Sequence, residues 1–298
     1  MSRRHTLIDG QQRPGVTENI IKTVALGLLC LMVVLPFLGI LSTSVSSADH
    51  INKAGGLVLL PDGINLSAYR SLLTGGVVTR ALLISLGITL VGSFLSLAVS
   101  TMMAYGLSRP GSLFSKPMLL LLLFSLLFTP GLIPSYLTVK TVGLLGSWWA
   151  LILPSLVSAF NVIVLRSFFM GLPSELIESA RIDGAGEWAI FTRVVLPLSK
   201  AILAVIGLFY AVGYWNSFFN ALLYLDDQGK WPLPLVLRTY VLESAQLAGG
   251  DIGGADVLPP QPALQMAMLV IAIVPILIVY PFLQKHFATG MLTGAVKG

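Results

Sequence analysis

Six stretches of this chain contain no Asp, Glu, Lys or Arg over a length that can cross hydrocarbon: residues 23–48, 81–108, 117–139, 141–165, 201–225 and 257–284. Crossing a bilayer core of about 30 Å takes ~20 residues of helix, and a charge at the helix centre costs about 3 kcal/mol, so gaps of this length predict membrane spans. The spans fall over about 22–45, 78–106, 117–139, 148–169, 200–224 and 264–285. Only 10% of the 298 residues are charged, against about 25% in a soluble domain. The sequence predicts an all-α integral membrane protein of six transmembrane helices. A 1–21 N-terminal tail precedes a 22–287 membrane domain, and a 288–298 C-terminal tail follows it.

Arg3, Arg4, Arg13 and Lys22 precede the first apolar run, which is too long for a signal-peptide core and has no A-x-A-like site after it. It is expected to be a retained span. Six spans put both termini on one side. That side, with the 109–116 turn and the 166–200 loop, holds 12 Lys/Arg and 6 Asp/Glu, against 6 and 7 on the other. By the positive-inside rule the first set is cytoplasmic. The 46–79 and 226–262 loops then face outward, the second carrying Asp226, Asp227, Glu243, Asp251 and Asp256. The lone Cys30 allows no intrachain disulfide and no Cys-based metal site.

Within the spans, prolines and polar side chains stand out. Pro36 permits a kink in the first. The outer loop after it has turn chemistry and a short amphipathic helix from Ser67 to Leu73. Gly87, Gly92, Ser93, Ser96 and Ser100 are spaced so that another helix can approach span two closely. Pro130 and Pro134 must interrupt span three, and a broken helix at membrane depth is tolerated only where protein or water satisfies the freed backbone. Trp148 and Trp149 suit an interfacial belt at the start of span four, whose strongest polar group is Asn161. Tyr214, Trp215, Asn216 and Asn220 close span five, and Gln265 opens span six. Asn216 and Asn220, four apart, are read as sharing one helical face. Because an amide facing lipid is costly, these five residues are the candidate lining of a translocation path, with interface aromatics as the competing account.

The 166–200 loop alone alternates charged and apolar residues at helical spacing. Pro173 suits a helix start, with Glu175 and Glu178 at its positive dipole end; a helix over about 173–183 is expected, apolar at Leu176, Ile177 and Ala180. Gly184 ends it, and a second helix resumes near 186 with Trp188, Ile190 and Phe191. Two helices in the headgroup plane, with Glu178 pairing Arg181, are one reading. Glu175, Glu178, Asp183 and Glu187 would however face an anionic leaflet, which favours a protein partner.

Glu178-Ser179-Ala180, three residues, Gly184, nine residues and Val194-Val195-Leu196-Pro197 resemble the EAA loop of ABC-importer permeases, with Ser179 for Ala and Val194 for Ile as mild departures. Pro134-Ser135-Tyr136, Leu165-Arg166-Ser167-Phe168-Phe169, Lys230-Trp231-Pro232-Leu233, Tyr280-Pro281-Phe282-Leu283 and the closing Gly294-Ala295-Val296-Lys297-Gly298 look like the carbohydrate-uptake branch, including aldouronate and alginate permeases. The resemblance implies a type I importer permease of the bacterial inner membrane, paired with a second permease, two ATP-binding cassette subunits and an extracytoplasmic solute-binding protein. It implies an oligosaccharide substrate, an acidic one such as alginate or aldouronate included. Segment 173–197 becomes the coupling loop, with Glu178, Ala180, Arg181, Asp183 and Gly184 at the ATPase contact.

The chain has no G-x-x-x-x-G-K-[ST] loop and no cluster of His, Asp or Glu, so catalysis, ATP and Mg are expected on the ATPase partners, with no cofactor, metal or nucleic acid here. An ion-coupled secondary sugar carrier is the alternative. Such carriers commonly hold ionisable groups inside the membrane, and the centres of all six spans lack them.

Overall fold

The computed structural model describes residues 16–109, 111, 114–242 and 261–295. Arg3, Arg4 and Arg13, the loop acids Glu243, Asp251 and Asp256, and Val296-Lys297-Gly298 lie outside the described residues. All regular structure among the described residues is helical.

Each uncharged run is helical, in two different ways. Runs one, two and six are the continuous helices α1 (Val16–Ser44), α4 (Val77–Ser108) and α15 (Gln261–Ala295). Between the first two lie the short helices α2 (Ala48–Lys53) and α3 (Ser67–Thr74), the latter where the amphipathic pattern placed it. Pro36 sits inside α1, and Pro275 and Pro281 sit inside α15, without ending either helix. Contrary to the expected boundary near residue 285, α15 runs ten residues further, to Ala295.

Runs three, four and five are broken. The third is α5 (Ser115–Leu127) and α6 (Leu132–Thr141), separated at Pro130 and at Gly131 with φ 79°. The fourth is α7 (Trp149–Ile152), a 3-10 turn over Leu153–Ser155, and α8 (Ala159–Met170), with a 48° bend between the halves. Two short helices of the 166–200 loop follow, α9 (Ser174–Ile182) and α10 (Glu187–Ile190). A π turn over Phe191–Val195 leads to α11 (Leu196–Leu198). Pro197 has no N–H for a regular helical bond, and wider turns of this kind occur where the ladder must adjust. The chain then turns by 84° into α12 (Lys200–Trp215), and the fifth run ends as α13 (Phe218–Tyr224). Within the expected 226–262 loop the structure places another helix, α14 (Leu233–Leu242). Its buried Leu233, Leu235 and Val236 explain the difference, since packing rather than propensity stabilises a helix this short.

The chain forms two compact units, one running to Arg70 and including the start of α15 up to Val270, the other comprising the rest. In the first, the segment after α1 folds back on that helix: Thr43 Oγ1 accepts from Val58 N (2.8 Å), and the Ser44 and Tyr69 hydroxyls meet at 2.7 Å.

In the second unit α4 is the axis, packed along α12 and α8. Its buried face carries Ser85, Gly92, Ser96, Ser100 and Ala104, small residues that let helix backbones approach closely. Gly92 is obligatory there, because a Cβ would sit 2.9 Å from the Tyr214 ring. Ser85 Oγ accepts from Leu233 N (2.7 Å), fixing the start of α14 on α4.

Candidate functional site

Residues around the breaks in runs four and five line an open cavity of about 470 Å3. The 3-10 turn contributes Ser155, the start of α8 contributes Asn161, and α12 contributes Tyr210 and Tyr214, with Asn216 and Asn220 beyond the second break. Ring faces come from Phe160, Phe209 and Phe219, and no lining residue carries a charge. Stacking surfaces interspersed with neutral donors and acceptors suit a polyhydroxylated ligand.

Two hydroxyls hold the break of run four in place. Tyr214 Oη donates to Ile152 O (3.1 Å), so the Ser96 hydroxyl, 2.7 Å away, donates to Tyr214. Tyr210 Oη accepts from Ser158 N (3.0 Å) and lies 2.6 Å from Ser100 Oγ. One tyrosine thus satisfies the carbonyl that ends α7 and the other the N–H at the cap of α8. These are the groups that a broken helix leaves unpaired in a medium without water. The sequence suggested both a broken interior helix and polar groups on span five, but not that the second repairs the first.

Among the expected path residues, Tyr214, Asn216 and Asn220 line the cavity. Trp215 is buried and does not line it, and Gln265 lies on α15 in the other unit. Asn216 and Asn220 do not share one continuous helix, because α12 stops at Trp215 and Asn220 belongs to α13: Asn216 Nδ2 caps the end of α12 by donating to Val212 O (2.9 Å). The group that the reading did not include is Asn161. Only 5% exposed, it makes no side-chain hydrogen bond among the described residues while lining the cavity. Its amide atoms are not sealed in the interior and open onto the cavity, where a ligand or water can complete them.

On the loop, α9 begins after Pro173 and ends at Asp183, with Gly184 at φ 82° accommodating the left-handed turn. Ala185 N closes that turn on Ala180 O (2.9 Å). Glu178 is exposed and Ala180 is half-buried against the chain's own core, together with Ile177. Arg181 does not pair with Glu178. Its Nε and Nη2 donate to Glu187 Oε1 (3.2 and 2.5 Å), while Tyr105 Oη donates to Glu187 Oε2 (2.8 Å). Folding α10 back across Gly184 brings Glu187 closer to the guanidinium than the i,i+3 position reaches. Arg181 first, then Tyr105, hold the Glu187 carboxyl below its ordinary pKa. Glu187 therefore joins both loop helices to α4. Apolar side chains nonetheless remain bare, Ile182 at 86% and Trp188 at 67% exposure.

Residues 81–293 match the family described as binding-protein-dependent transport system inner membrane component. The polygalacturonan/rhamnogalacturonan transport system permease protein YtcP of Bacillus subtilis (strain 168) is 43% identical over 273 residues, 91% of this chain and 95% of that protein. Protein LplC of the same organism is 41% identical over 298 residues, the full length of both. A solved chain of a bacterial ABC transporter involved in the import of the acidic polysaccharide alginate superposes with a TM-score of 0.84 at 29% identity, covering 93% of this chain and 100% of that one.

Proposed function

Starting from the fact that this chain belongs to the binding-protein-dependent transport system inner membrane component family, we propose that it is the permease half that carries an oligosaccharide through the cavity between its broken spans. Such a system depends on a binding protein, which sets aside the ion-coupled carrier. The partners are a second permease, two ATP-binding cassette subunits that hold ATP and Mg, and an extracytoplasmic solute-binding protein. This chain itself catalyses nothing. Both termini and the 173–197 loop face the cytoplasm, and the 226–262 loop faces outward, as the charge distribution favours.

The unpaired Asn161 amide among aromatic rings carries the reading for the site. Sugar hydroxyls both donate and accept, as an amide requires, and their C–H faces stack on rings. The polymers named for two of the related systems, polygalacturonan and alginate, are uronate polymers, and we infer a uronate oligosaccharide here. The cavity offers no cation, so the second permease supplies the counter-charge. Glu178 and the bare Ile182 on α9, with Arg181, Asp183 and Gly184 holding the helix and its turn, form the ATPase contact.

In proteoliposomes containing the assembled transporter, Asn161→Leu should lower oligogalacturonate uptake about tenfold or more, since a site built around a hydroxyl loses most when its partner is removed. Basal ATP hydrolysis should persist. Uptake equal to the parent's at subsaturating substrate would show that Asn161 does not meet the sugar.

A further inference from the structure

A second hollow, about 410 Å3, lies beside the N-terminal half of α4 and shares no lining residue with the sugar cavity. Its walls are Leu83, Ile84, Ile88 and Val91 from α4 and Trp149 and Ile152 from α7. Gly87 forms part of the floor, and a Cβ built on it would meet nothing within 4 Å, so the glycine leaves the groove open. Arg80 is the one charged residue of the lining, and its guanidinium makes no hydrogen bond or ion pair among the described residues. The nearby cation Lys230 is already engaged, donating from Nζ to Gly146 O (2.8 Å).

We propose that this groove is a phospholipid site, holding one acyl chain along α4 with the anionic headgroup on Arg80. Three observations converge on this occupant. From Arg80 to Val91 the helix rises about 16 Å, the depth of one leaflet of a hydrocarbon core of about 30 Å. Trp148 and Trp149 line the groove together with Arg80, indoles mark the headgroup level of a bilayer, and Trp148 Nε1 is fixed by donation to Lys230 O (3.1 Å). An apolar trough with a free guanidinium at that level matches an acyl chain and a phosphate in both polarity and charge. A sugar gains nothing from such walls, and a water-filled crevice would leave them wet. The assignment does not depend on what the transporter carries, because no group of the sugar site other than the run-four backbone takes part.

The test uses the assembled transporter in nanodiscs of mixed phosphatidylglycerol and phosphatidylcholine, extracted into detergent and weighed intact by native mass spectrometry. The parent should retain a phosphatidylglycerol molecule through delipidation. Arg80→Gln should reduce its preference for phosphatidylglycerol over phosphatidylcholine, about fivefold for one surface cation, to about one. Gly87→Leu, whose Cβ meets nothing within 4 Å and which replaces a poor helix former, should lower retention of both lipids about tenfold or more by filling the trough. Full assembly and normal unfolding of both variants are expected. The proposal is overturned if the parent retains no lipid beyond the general annulus, or if Gly87→Leu retains as much as the parent. It is equally overturned if Gly87→Cys in a Cys30→Ser background, alkylated with a benzophenone maleimide and irradiated, cross-links to the second permease, because a protein partner then covers the groove.

Discussion

Removing one oxygen at Tyr214 tests the account of how the broken span is held. In Tyr214→Phe the ring stays against Gly92 and the cavity keeps its wall, but Ile152 O loses its donor and the buried Ser96 hydroxyl loses its acceptor. Two magnitudes compete. An unsatisfied buried group costs about 1–3 kcal/mol, whereas hydrogen bonds between membrane helices average only about 0.6 kcal/mol because the alternative state also finds partners. Ser96 can turn to a carbonyl one turn back on α4, so its share is small. Ile152 O has no such option: Leu156 N, which a regular helix would aim at it, bonds Leu153 O instead (3.3 Å). The expected loss is therefore about 1–2 kcal/mol, a factor of about 5–30 in the folding equilibrium. Unfolding in mixed micelles of rising denaturing-detergent fraction, followed by helix signal, measures it. Tyr136→Phe is the control, since the Tyr136 hydroxyl makes no hydrogen bond among the described residues and its ring merely stacks on Tyr224. If Tyr214→Phe is no less stable than Tyr136→Phe, the capping account fails. A loss of uptake affinity at unchanged stability would refute it more specifically, by assigning the hydroxyl to the sugar.

Ile182→Asp should abolish ATPase co-purification and substrate-stimulated ATP hydrolysis while the helices still insert, because an 86% exposed side chain costs the fold little and the docking face much. Glu187 titrates with a depressed pKa, so its contribution to loop order is complete at neutral pH and is lost only as pH falls below the ordinary carboxylate range of about 4. Amide-exchange protection factors over 174–198, which divide out the intrinsic pH dependence, should then be constant from pH 7 to 5 and fall below about pH 4, whereas Glu187→Gln should lower them at every pH. In a Cys30→Ser background, a cysteine at Gly63 should react with an impermeant maleimide from outside and one at Gly186 only after permeabilisation; the opposite pattern reverses the topology.

Much of the architecture follows from the sequence because the controlling energies are local. A charge in hydrocarbon is costly whatever its neighbours, so the six uncharged runs mark their helices without knowledge of packing. The proline pair of run three breaks its helix by removing backbone donors, again a local effect. The spacing from Glu178 through Gly184 to Pro197 likewise specifies a helix, a left-handed turn and a second helix from residue types alone. The same locality explains the misplaced pairings. Sequence spacing puts Arg181 within reach of Glu178 and puts Asn216 and Asn220 on one face, yet the chain turns back after α9 and α12 stops at Trp215, before α13 begins. Glu187 then takes Arg181, and Val212 O takes Asn216. Nor does sequence separation hint that Tyr214 on one span caps the break in another, or that Asn161 is left without a partner. Hydrogen-bond partners in a dry interior are chosen by which broken ends meet, and that meeting is decided by helix packing across dozens of residues, where Gly92 admits the Tyr214 ring and so brings its hydroxyl to Ile152.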